Sequence, residues 1–147
     1  MTEQETSGNK TIVSSIERVL AATGIITIGA GAFVVSYFNP TTAGFFPVCP
    51  LYQLTGIACP GCGLTRGFHA LFHGDVLTAL HYNALLPVFS FVIGFIFVSL
   101  FLIAARGRGL SWKIIPPSAM YGLLILAASF FVFRNLPFYP FTLLAPQ

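Results

Sequence analysis

The chain has 147 residues, 56% of them hydrophobic and only 7% charged, with a mean hydropathy of +0.85. Soluble domains carry about a quarter charged residues, so the composition excludes an ordinary soluble fold, and the length suits one unit rather than two. The net charge of +3 comes from seven basic residues scattered singly, which excludes a nucleic-acid-binding patch and fits the charge asymmetry of a membrane protein.

Residues 1–18 contain Glu3, Glu5, Lys10, Glu17 and Arg18 and are predicted to be a polar N-terminal tail running into a helix. No small-x-small cleavage site follows a short apolar core, so the expectation is an uncleaved first helix. Residues 19–38 carry no charge over twenty positions. As a helix they would cover about 30 Å, the hydrocarbon thickness of a bilayer. Gly24, Gly29 and Gly31 offer places where a second helix could come close. Asn39-Pro40 ends this span, because proline cannot continue a helix.

Residues 39–63 hold Pro40, Pro47, Pro50 and Pro60 and no charge. Proline and glycine at this density predict irregular backbone. Such backbone cannot face lipid, where its N–H and C=O groups would go unpaired. The apolar side chains Phe45, Phe46, Leu51, Tyr52 and Leu54 are expected to pack this segment down against the helices. In residues 64–73, Leu64, Phe68, Leu71 and Phe72 fall on one helical face and Arg66, His69 and His73 on another. That pattern predicts a short amphipathic helix lying at the interface. Gly74 is the expected stop, Asp75 the expected N-cap of the next helix, and His81 lies near that helix's end.

Residues 84–105 form the second predicted span, with Pro87 tolerated in its first turn. Residues 106–113 form a basic loop, and residues 114–133 the third span. The tail after it is aromatic and proline-rich, too interrupted to span, and is expected to fold back at the interface. The predicted fold class is therefore all-α: a polytopic membrane protein with three transmembrane helices plus a short amphipathic interfacial helix. Residues 19–147 form a single membrane domain, with a cysteine-rich loop and the interfacial helix in 39–83. Lys10, Arg18, Arg106, Arg108 and Lys113 fall on one side of such a fold, Arg66 and Arg134 on the other. The positive-inside rule then places the N-terminus in the cytoplasm and the cysteine loop outside it, where disulfides are permitted.

All three cysteines, all three histidines, Arg66 and Asp75 fall between residues 49 and 81. Cys59-Pro60-Gly61-Cys62 is a C-x-x-C at the start of a predicted helix, where N–H groups and the helix dipole lower a thiol pKa. Thiol–disulfide exchange by Cys59 and Cys62 is one reading, although no βαβ pattern surrounds the motif. A metal site, zinc being the natural ion, is a second. Its candidate ligands are Cys49, Cys59, Cys62, His69 and His73, the two histidines sharing a helix face at i, i+4. A third reading is a disulfide from Cys49 to Cys59 or Cys62 that staples the loop, leaving one thiol over. Arg66, Asp75, Arg134 and Asn135 are candidates for a polar cluster. Asp75 is the sole acid beyond the N-terminal segment, which excludes paired-carboxylate catalysis there, and no hydrolase grouping is visible.

These residues resemble a family of small bacterial membrane proteins catalogued as a domain of unknown function. Its signature is a cysteine, about ten residues, then C-P-x-C-G-x-T-R and a later G-D. Here it reads Cys49, CPGCGLTR at 59–66, Gly74-Asp75 and Asn83, with RNLP at 134–137 and LAP at 144–146. The family's usual asparagine-proline is Asn83-Ala84 in this chain, with proline displaced to Pro87. The resemblance implies a location in the bacterial inner membrane and supplies no reaction. The reading that results is a non-enzymatic accessory component working with membrane protein partners, its cysteine loop structural or metal-binding. The alternative is a thiol–disulfide relay through Cys59 and Cys62.

Overall fold

A computed structural model describes residues 4–107, 109–110 and 116–139, with side chains from residue 15 onward. Arg108, the 111–115 part of the predicted basic loop and residues 140–147 lie outside the described residues. Six helices and no strand occur among the described residues. They are α1 (Gln4–Tyr37), α2 (Pro50–Thr55), α3 (Leu64–Phe72), α4 (Val76–Tyr82), α5 (Leu86–Arg106) and α6 (Pro117–Arg134). Among the described residues, three segments are long and apolar enough to cross a membrane: Ser15–Tyr37, Leu86–Arg106 and Pro117–Arg134, with mean hydropathies of 2.0, 2.7 and 1.5. The fold is the all-helical, three-span architecture that the apolar runs predict. α1 starts fifteen residues ahead of the uncharged run, with its polar end already helical.

The chain divides into two compact units. The first comprises residues 1–32 and 91–114. Within it α1 and α5 meet at Gly24, where a Cβ would fall 2.8 Å from Leu100 Cδ1. A larger residue there would have to push the end of the Leu100 side chain aside, so a small residue favours this close approach. Gly29 and Gly31, equally small, have nothing within 4 Å and make no such approach. Past the end of α5 the Ser99 hydroxyl accepts the Leu110 N–H at 3.2 Å. The Arg18 guanidinium lies beside Gly107, 3.1 Å from where a Cβ would be, close to the negative end of the α5 dipole.

The second unit comprises residues 33–90 and 115–147. α1 ends at an Asx turn, with Asn39 Oδ1 accepting from the Thr41 N–H at 2.9 Å and the Thr41 hydroxyl at 2.7 Å. α3 and α4 pack together as a hairpin. Gly67 is buried at their crossing, where a Cβ would meet Leu86 Cδ1 at 2.5 Å and Ala79 O at 3.1 Å. Between them Gly74 takes φ +82°, and Asp75 Oδ1 accepts the Thr78 N–H at 3.0 Å, making Asp75 the N-cap of α4. The Thr78 hydroxyl and then its N–H hold the Asp75 carboxyl below the usual carboxylate range.

One expectation fails here. Phe45, Leu51, Tyr52 and Leu54 do not pack under the helices; all are exposed, Leu54 at 85%. In a bilayer an apolar side chain needs no protein cover. What needs cover is the irregular backbone, and the structure supplies it by another route.

Candidate metal centre at the cysteine loop

Backbone geometry places the three sulfurs. Cys49 sits in extended conformation (φ −61°, ψ 116°) just before α2, whose N1 residue is Pro50. After α2 the chain turns at Gly56 (φ +72°) and returns to Cys59. Cys59 to Cys62 is a tight turn closed by the Cys62 N–H on Cys59 O at 3.0 Å. The Cys59 N–H in turn points at Cys62 Sγ, 3.2 Å away. Gly63 then enters α3 at φ +80°. A Cβ at Gly63 would lie 2.5 Å from Tyr82 O, so glycine is required there by both conformation and space.

The result is a cluster of thiols. Cys49 Sγ lies 3.4 Å from Cys59 Sγ, and Cys59 Sγ lies 3.1 Å from Cys62 Sγ. All three ligand atoms fall within 4.8 Å of one another, and the three cysteines are unpaired. Three cysteines so disposed could hold a metal ion. They form part of the wall of a cavity of about 300 Å³, together with Pro40, Phe46, Tyr52 and Arg66.

His69 and His73 are not in this cluster. Their rings lie tilted against each other, with centroids 4.4 Å apart and planes at 43°. His69 Nδ1 is 2.8 Å from Val35 O and His73 Nδ1 is 2.8 Å from His69 O. Among the described residues the candidate ligand set is thus three cysteines, and His69 ties α3 to the end of α1.

The thiols also differ from what the helix-start position alone predicts. Backbone N–H contact from Tyr52, then Cys62 and Cys59, lowers Cys49, outside the C-x-x-C, to about 7. Burial, then hydrogen bonding with Cys59 and Cys49, pushes Cys62 up to about 12. Desolvation outweighs the dipole at Cys62 because its side chain is packed away from water, only 9% exposed.

Three polar side chains from distant parts of the chain hold this turn. Asn135, just past α6, binds both sides of Ala58: its Oδ1 accepts the Ala58 N–H at 2.8 Å and its Nδ2 donates to Ala58 O at 2.9 Å. Arg134, 2% exposed, donates from Nη1 to Cys59 O at 3.4 Å and from Nη2 to Tyr82 O at 3.1 Å. Its Cζ lies 5.3 Å from the Phe130 ring centroid, and its charge acts on Cys62 and Cys59. Asn83, 1% exposed, donates from Nδ2 to Pro60 O at 2.8 Å and Cys62 O at 3.2 Å, while its Oδ1 accepts Leu85 N–H at 2.9 Å. These bonds cover backbone that lipid could not satisfy. Of the four residues expected to form a polar cluster, Arg134 and Asn135 meet at the turn, Arg66 lines the cavity, and Asp75 is used in capping α4.

Residues 49–97 match the family DUF2752, described as a protein of unknown function. The matched stretch takes in all three cysteines, α2, α3, α4 and the first half of α5; Arg134 and Asn135 lie beyond it. No curated protein and no solved structure matches the chain.

Asn83 was legible in the sequence only as a residue of the resemblance. An asparagine ahead of an apolar span reads as an ordinary cap, and nothing in its spacing points back to Pro60 and Cys62.

Proposed function

We propose that this chain is an integral membrane protein whose Cys49, Cys59 and Cys62 bind a divalent metal ion, zinc being the ion best suited. The single observation that supports it is the convergence of three sulfurs within 4.8 Å. Sulfur donors select soft or borderline ions, and zinc binds thiolates without a redox demand. Bound there, the ion would lock the loop between α1 and α5 into one conformation. The protein acts as a non-enzymatic accessory component, its apolar spans contacting lipid and membrane protein partners.

The proposed setting is the bacterial inner membrane, with the N-terminus cytoplasmic and the cysteine loop outside. Five basic residues against two support that orientation, and Arg18 lying beside Gly107 at the end of α5 supports counting those ends on one side. An oxidising compartment would consume three adjacent free thiols unless they were held by metal or used in exchange.

The test is metal analysis of protein purified in lipid nanodiscs without added metal. One zinc per chain, lost in Cys49→Ser, Cys59→Ser and Cys62→Ser, is the expected result. A metal-free protein with freely alkylated thiols refutes the reading. The 3.1 Å approach of Cys59 and Cys62 supports a second one, a thiol–disulfide relay. Its sign would be reversible two-thiol cycling of Cys59 and Cys62, with a mixed disulfide to a partner trapped by Cys62→Ser.

A further inference from the structure

Resting on that metal reading, we infer that the centre keeps one coordination position open to the adjoining cavity, and that a small anionic ligand binds there beside Arg66. Zinc in proteins is almost always four-coordinate, and sites with three protein ligands take the fourth from water or a substrate. Among the described residues three ligands converge here. His69 and His73, the nearest candidates in sequence for a fourth, hold backbone carbonyls through Nδ1 and stand outside the sulfur cluster.

Charge supports the same reading. Three thiolates and a dication leave one net negative charge, which the buried Arg134 guanidinium beside Cys59 and Cys62 offsets. Arg134 Nε, buried and without a hydrogen-bond partner among the described residues, fits an environment that gains negative charge when the site loads. The protein and ion together are thus close to neutral without a fourth protein ligand. The space left over is the cavity of about 300 Å³, large enough for a ligand of several atoms. Among the described residues its wall contains all three cysteines, Arg66 and Thr65, and no acidic residue. An arginine in such a wall favours an anion by charge and by hydrogen bonding.

The experiment is cobalt substitution of the full chain in nanodiscs, followed by titration with azide. Thiolate-to-cobalt charge-transfer bands report the three-sulfur site, and ligand-field bands report the fourth position. Wild type should keep its charge-transfer bands while its ligand-field bands change saturably with azide. Arg66→Gln should raise the azide dissociation constant by about tenfold or more, the scale of one charge-assisted hydrogen bond. Arg66→Lys should recover part of the affinity. Unchanged charge-transfer intensity in both variants guards against misfolding. Ligand-field bands insensitive to azide, with the charge-transfer bands present, overturn the open position while leaving the metal reading intact. Equal azide affinity in Arg66→Gln and wild type overturns the role of Arg66. Absence of charge-transfer bands overturns the metal reading itself and this inference with it.

Discussion

Asn135→Ala tests whether the end of α6 holds the cysteine loop in place. Asn135 makes a paired contact with Ala58, accepting its N–H at 2.8 Å and donating to its carbonyl at 2.9 Å, and Ala58 is 2% exposed. Truncation leaves both backbone groups without partners. Each unmade buried bond costs about 1–3 kcal/mol; taking about 1–2 for each, because water at the interface can enter the gap, gives about 2–4 kcal/mol. At about 1.4 kcal/mol per factor of ten, the loop should open about 30-fold to several hundred-fold more often. Ala58 leads directly into Cys59, whose carbonyl carries the Cys62 N–H, so release of Ala58 loosens the turn that buries Cys62. The assay is the rate of Cys62 alkylation in metal-free protein in nanodiscs, followed by mass spectrometry, with reagent dilute enough that reclosing outruns labelling. Asn135→Asp keeps the acceptor and loses the donor, and should fall between wild type and Asn135→Ala. If Asn135→Ala labels Cys62 within threefold of wild type at unchanged helix content, the clamp does not hold the loop and the reasoning fails.

Two further outcomes follow from glycine geometry and thiol chemistry. Gly63→Ala should abolish cobalt loading, since its Cβ would meet Tyr82 O at 2.5 Å as well as the left-handed backbone. Gly74→Ala, at φ +82° in open space, should cost only about 1–2 kcal/mol of backbone strain and still load; equal behaviour of the two variants would contradict the packing seen at Gly63. In metal-free protein, alkylation of Cys49 should rise through a midpoint near pH 7, set first by the Tyr52 N–H, while Cys62 stays protonated and slow past pH 9. The Cys49 shift is downward from 9.0, so the unfolded chain binds more protons between pH 7 and 9 and stability from this thiol rises with pH across that window. The Cys62 shift is upward from 9.0 to about 12, so its contribution is present below pH 9 and lost as pH rises through 12. A Cys49 midpoint at or above pH 9 would refute the first statement.

Much of the fold was readable from hydropathy. A helix in lipid must satisfy its own backbone, so an uncharged run of about twenty residues is close to sufficient evidence for a span. Pro87 in the first turn of α5, Gly74 as a stop and Asp75 as an N-cap were legible for the same reason: each acts on its immediate neighbours. The cysteine loop was legible as important, and its three sulfurs as candidate ligands. Whether the histidines joined them depended on how α3 turns relative to the loop, which spacing along the chain does not fix.

The sequence by itself thus determined the membrane character, the number of spans and the place where the chemistry is concentrated, because those follow from local composition and from caps within a few residues. Only the tertiary structure decided which residues meet the Cys59-Pro60-Gly61-Cys62 turn. Asn135 reaches Ala58 across 77 positions, Arg134 reaches Cys59 across 75, and Asn83 reaches Pro60 across 23. Each of these bonds is selected by the need of an irregular, proline-rich backbone for polar partners beside a bilayer. That need is visible in the sequence, but the groups that meet it are brought near only by folding.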